Sequence, residues 1–111
     1  MIKQKNYKTL TVNGIDVILP ERIRLVLTFQ NELYIVVLIG AKQGDIEDNE
    51  NALTKENVHC YDFEGNLKWI YPWGITGMGK IDEDTVDLYD GSYSHYVRVA
   101  TGDTIRSEFV K

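Results

Sequence analysis

Only one cysteine, Cys60, occurs in the 111 residues, which excludes an intrachain disulfide and any scaffold stapled for an oxidising compartment. Long hydrophobic runs are also missing. The longest, Leu33 to Ile39, is about a third of the roughly 20 residues that span a bilayer. The opening MIKQKNYKTLTVNGID has no continuous apolar core of the kind a signal peptide needs, so the expected location is cytoplasmic. Positive charge is in deficit, with a net charge of -5; this argues against nucleic-acid binding, which needs a basic face to neutralise phosphates. There is no CxxC, HExxH, Walker-type loop or GxSxG, so the common sequence-readable catalytic constellations are absent and no enzyme is expected. No segment of a dozen residues carries convincing helical periodicity.

What is present suits a packed domain. The chain is 43% hydrophobic and 26% charged, near the globular average and far from disorder, and its length fits one domain, residues 1–111. Charge is uneven: residues 1–40 hold five basic and three acidic side chains, residues 41–111 seven basic and fourteen acidic.

Runs of β-branched and aromatic residues alternate with turn signals along the chain. Asn13-Gly14 between Tyr7 to Val12 and Ile15 to Leu19 is a strong hairpin signal, because both residues tolerate positive φ. Pro20 removes a donor and ends the second strand. Ile23 to Phe29 and Leu33 to Ile39 form a second hairpin around Gln30-Asn31-Glu32. LYIVVLIG is apolar nearly throughout, which suits a central strand covered on both faces. Residues 41–57 read as a polar loop, with a short helical turn around 51–55. Val58 to Asp62 and Leu67 to Tyr71 form another hairpin, PWGITGMGK with its three glycines an irregular connection, and Thr85 to Tyr89, Tyr93 to Ala100 and Ile105 to Val110 the last strands. The expectation is an all-β protein of about eight or nine strands with little helix, an antiparallel sandwich or propeller-blade-like meander.

VHCYDFEGNLKWIY and HYVRVATGDTIRSEFV share one grammar about 37 residues apart: an aromatic-rich strand, a glycine turn, then a strand opening on Leu67 or Ile105. Tyr61, Asp62, Gly65 and Trp69, then Thr101, Gly102 and Ile105, resemble the outer two strands of blades in quinoprotein-type (PQQ-repeat) β-propellers. A chain of this length makes roughly two such blades, too few to close a ring. The resemblance therefore implies a face-to-face sandwich or association of copies over exposed edges, a homo-oligomer. It implies no quinone cofactor, and no cofactor of any kind is expected.

His59-Cys60 is the first candidate for metal or nucleophile chemistry. Neighbouring strand residues point to opposite faces, so Cys60 reads as a buried small hydrophobe. The run Asp82 to Gly91 carries Asp82, Glu83, Asp84, Asp87 and Asp90 without a basic residue. It departs from the EF-hand pattern at the third position and reads as a solvated edge or a docking surface for a basic partner. A second acidic group lies in residues 41–57: Asp45, Glu47, Asp48, Glu50 and Glu56. If adjacent, the two groups would steer a cationic protein, with Trp73, Tyr89, Tyr93 and Tyr96 as aromatic anchors. Trp69, inside a strand, reads as core.

In size, charge and strand pattern the whole chain resembles the immunity proteins of bacterial contact-dependent growth inhibition and related polymorphic toxin systems. That resemblance implies a basic protein partner, a nuclease toxin and more specifically a ribonuclease, of the ribonuclease A-like class. Asp45, Glu47, Asp48, Asp82, Asp84, Asp87 and Asp90 would pair with its Lys and Arg, while Trp73, Tyr89 and Tyr93 exclude water. A self-associating blade-like module is the alternative, and a carbohydrate- or small-ligand-binding domain using Trp69, Trp73 and Tyr71 ranks behind it.

Overall fold

A computed structural model describes residues 2–40 and 55–110. Among these residues there are eleven strands and no helix, hence no helix long and apolar enough to cross a membrane. The strands are β1 (Ile2–Gln4), β2 (Thr9–Val12), β3 (Ile15–Ile18), β4 (Ile23–Phe29), β5 (Tyr34–Ile39), β6 (Val58–Asp62), β7 (Leu67–Tyr71), β8 (Gly77–Lys80), β9 (Thr85–Tyr89), β10 (Tyr93–Arg98) and β11 (Thr104–Phe109). They form three antiparallel sheets in strict chain order: β1-β2-β3, β4-β5-β6-β7 and β8-β9-β10-β11.

The count of eight or nine strands is therefore low by two or three. Neither the short opening strand β1 nor β8 was anticipated. β8 lies inside the segment expected to be an irregular connection, because Gly77 and Gly79 read as breakers. They are strand residues here, paired with Tyr89 and Asp87, while Met78 between them pairs with Leu88 and packs on the core.

Turn chemistry explains the hairpins. Asn13 and Gly14 have φ of 49° and 85°, the pair of positive values that a two-residue hairpin turn needs to match strand twist. The turn at Gln30, Asn31 and Glu32 holds three successive positive φ values without a glycine. It is tied down from the third sheet, where Glu83 accepts the Gln30 N–H through its carbonyl and the Asn31 N–H through its carboxylate.

A two-layer sandwich is replaced by three layers, because the middle sheet is apolar on both sides. Along β5, Ile35, Val37 and Ile39 pack with Leu10, Val12, Val17 and Leu19 toward the first sheet. Val36 and Leu38 pack with Val58, Cys60, Val86, Leu88 and Val97 toward the third. Period-two alternation puts successive side chains on opposite faces, so a continuous apolar run supplies two cores at once, as expected for LYIVVLIG. Each buried aliphatic side chain contributes about 1.5–3 kcal/mol.

Directed contacts lock the layers. Asn13 Nδ2 donates to the Phe63 carbonyl at 3.1 Å, joining the first two sheets turn to turn. Trp69 Nε1 donates to the Val99 carbonyl at 2.7 Å, and Gly102 lies so close to the indole that a Cβ there would sit 2.7 Å from the ring. Asn57 is buried and uses its whole amide: Nδ2 donates to the carbonyls of Ile39 and Ile75, and Oδ1 accepts the Ile75 N–H. That clamp fixes the path between β7 and β8, and so the position of Trp73.

Candidate functional site

The acidic run Asp82 to Gly91 does not stay together. β9 separates Asp82 and Asp84 in the β8–β9 turn from Asp90 in the β9–β10 turn by about 20 Å of extended chain. Several of its acids serve the backbone. Asp82 Oδ1 accepts the Asp84 N–H at 2.8 Å. Glu83 pairs with Lys80 and holds the Asn31 turn, which lowers its carboxyl below the ordinary range. Asp87 sits mid-strand on the outer face of the third sheet, where Oδ2 accepts from the Ser94 hydroxyl at 3.2 Å. Its Oδ1 is screened from solvent and has no partner among the described residues.

At the other end of β9 the structure brings three expected residues together. A cleft of about 610 Å³ is lined by Trp73, Gly74, Asp90, Ser92, Tyr93 and His95. Trp73 is 64% exposed, an unusual placement for so large an apolar ring. Asp90 closes its own turn, with Oδ1 accepting the N–H groups of Ser92 and Tyr93 at 2.9 and 2.7 Å. Its other oxygen meets His95 Nε2 at 2.7 Å. The Tyr93 N–H first, then the His95 and Ser92 bonds, pull the Asp90 carboxyl down to about 2. It is a fixed negative charge at neutral pH.

His95, which the sequence did not single out, is the hub of this site. Its Nδ1 lies 2.7 Å from the Ser107 hydroxyl, its ring stacks with Tyr93 at 6.2 Å, and Tyr71 approaches at 6.0 Å from the middle sheet. Phe109 meets Tyr93 edge-on at 5.4 Å. Hydroxyl, imidazole and carboxylate thus stand in the order Ser107, His95, Asp90. Ser107, however, is exposed on an edge strand, whereas nucleophilic catalysis gains most from a water-excluded site. Through His95 the same network contacts the rings of Tyr93 and Tyr71. The strand alternation of β10 was the available signal, since it places Tyr93 and His95 on one face.

The outer face of the third sheet lies on the opposite side from Tyr93 and His95, which share the inner face with Val97. Cross-strand register aligns Tyr96 with Asp87 and Arg106, and Ser94 with Tyr89 and Glu108. Arg106 lies over the Tyr96 ring at 4.4 Å and pairs with Glu108, which also accepts from the Tyr96 hydroxyl at 2.9 Å. These bonds lower the Glu108 carboxyl and raise the Tyr96 hydroxyl. Tyr89 points its hydroxyl back to the Gly91 carbonyl at 2.9 Å.

Asp45, Glu47 and Asp48 lie outside the described residues. His59 pairs with Val37 on the side facing the first sheet, and Cys60 with Val36 on the side facing the third. The pair points apart, as strand geometry requires. Burial raises the Cys60 thiol to about 12 and lowers His59. Among the described residues no three His, Cys, Asp or Glu side chains converge as a metal would need. Comparison with protein-family models, curated proteins and solved structures found no match.

Proposed function

We propose that this chain is a protein-binding inhibitor whose contact surface is centred on the Trp73, Tyr93 and Asp90 cleft. More particularly, it reads as an immunity protein of a contact-dependent growth inhibition system, neutralising a basic nuclease toxin, a ribonuclease of the ribonuclease A-like class. The observation that carries this reading is the cleft: an exposed tryptophan and tyrosine beside a carboxylate held ionised. Aromatics anchor interfaces, and fixed carboxylates select cationic partners. A nuclease is such a partner, because it must hold phosphates.

The three meanders favour a blade-like reading of the scaffold. Trp69 of the middle sheet docks on Gly102 of the third, and Ile15 of the first sheet sits in the same way against Gly65 of the middle one, where a Cβ would lie 3.2 Å from it.

The test is capture of a partner from source-cell extract at about 50 and 500 mM salt. A basic protein should be retained at low salt, weakened at high salt, and lost with Trp73→Ala/Tyr93→Ala. Asp82→Asn/Asp84→Asn, at the far end of β9, should leave capture intact. Equal capture by all three proteins would refute the assigned surface, and no capture at either salt would refute the inhibitor reading.

A further inference from the structure

Among the described residues strand β11 closes the third sheet and pairs on one side only, with β10. All six of its residues are exposed, including Ile105 and Phe109 at 49% and 62%. An antiparallel ladder alternates between pairs that exchange hydrogen bonds and pairs that do not. The Val110 N–H donates to the Ser92 carbonyl, so Glu108 with Ser94 and Arg106 with Tyr96 are bonded pairs in the same register, and Ser107 with His95 and Phe109 with Tyr93 are not. The backbone N–H and C=O of Ser107 and Phe109 consequently point away from β10, toward an edge that no described strand covers. Such an edge is a template for another strand.

We propose that the edge is occupied by β11 of a second copy of this chain, running antiparallel about a two-fold axis through Ser107 and joining the two third sheets into one of eight strands. The sequence Thr-Ile-Arg-Ser-Glu-Phe is self-complementary in that arrangement. Ser107 meets itself and exchanges two backbone hydrogen bonds. Arg106 of each copy stands opposite Glu108 of the other, and Ile105 opposite Phe109. The charges that pair within one chain become a four-membered alternating network, and two exposed apolar side chains per copy cover each other.

Register is specified as well as allowed. Bonding parity permits slips of two residues only, and a slip in one direction sets Arg106 against Arg106, in the other Glu108 against Glu108. Like charges directly opposite destabilise a strand pair. The remaining edge strands, β1, β3, β4, β7 and β8, each carry one charged side chain: Lys3, Asp16, Arg24, Lys68 and Lys80. None can match opposite charges with itself. This inference does not depend on the toxin partner, since it uses only the edge of the sheet.

Sedimentation velocity of the purified chain from about 5 to 200 µM provides the test. The wild type should form a concentration-dependent species of twice the chain mass. Ser107→Pro removes the N–H on the axis without touching the ladder to β10, a place where edge strands tolerate proline; it should stay folded by circular dichroism and sediment as a monomer. Arg106→Glu and Glu108→Arg, each now facing like charge across the axis, should each dimerise at least tenfold more weakly. Mixed together they should associate, because one supplies two acids where the other supplies two bases. A wild type that is monomeric throughout, a dimer unaffected by Ser107→Pro, or a mixture no tighter than its components would overturn the proposal.

Discussion

At the scale of single residues, Asp90 is the side chain whose chemistry is most constrained. It accepts two backbone N–H groups and meets His95, so Asp90→Ala should cost about 2 kcal/mol at pH 7, read by urea unfolding. Its folded carboxyl lies at about 2, below the ordinary value of 3.8. A depressed folded pKa stabilises above the unfolded value and stops doing so as pH falls through the folded one. The gap between wild type and variant should therefore be full above about pH 5 and close as pH falls from 4 to 2. Cys60 is the opposite case. Buried, with its thiol raised to about 12, it should resist thiol reagents in the folded protein and react only as fast as the chain opens. Rapid modification under native conditions would contradict that placement.

At the scale of elements, the informative contrast is between glycines of the same conformation in different surroundings. Gly14 and Gly102 have φ of 85° and 80°, yet a Cβ meets nothing within 4 Å at Gly14 and the Trp69 ring at 2.7 Å at Gly102. Gly14→Ala should cost only the left-handed penalty of about 1–2 kcal/mol. Gly102→Ala should cost more than that and shift the emission of Trp69, which loses its seat on the turn. Equal costs would mean that the indole is not held by the turn. Asn57 is a second such joint: replacing it with Ala leaves the Ile75 N–H and C=O unpaired and should destabilise by about 2–4 kcal/mol, whereas a solvent-facing Asn in a turn would cost far less.

At the scale of the whole molecule, β5 couples two cores. Ile35 and Leu38 lie on its opposite faces, one in each cluster. Either one replaced by Ala should cost about 2–5 kcal/mol. Because a single strand carries both faces, each variant should unfold in one transition, with Trp69 fluorescence and far-ultraviolet circular dichroism sharing a midpoint. Separate midpoints for the Ile35 variant would show that the first sheet opens independently. Function belongs to this scale too. The cleft exists because the Asn57 clamp and the β9–β10 turn deliver Trp73 and Asp90 to one end of the third sheet, far from Asp82 and Asp84.

Much of the strand pattern was written locally. Asn13-Gly14 specifies its own turn, LYIVVLIG announces a strand buried on both sides, and the glycine motifs at Gly65 and Gly102 mark hairpins of successive sheets, because turn geometry and period-two alternation act over a few residues. Local reading failed where pairing overrides propensity, as at Gly77 and Gly79, which a neighbouring strand makes into β8. Nor does a run such as Asp82, Asp84, Asp87 and Asp90 show locally how it is spread, and β9 carries its members along about 20 Å of sheet. Only the tertiary structure decided the three-layer stack, the meeting of Trp73, Tyr93 and Asp90 around His95, and the open edge of β11. Each depends on which strand lies beside which and on the parity of their hydrogen bonds, relations between segments far apart in the chain.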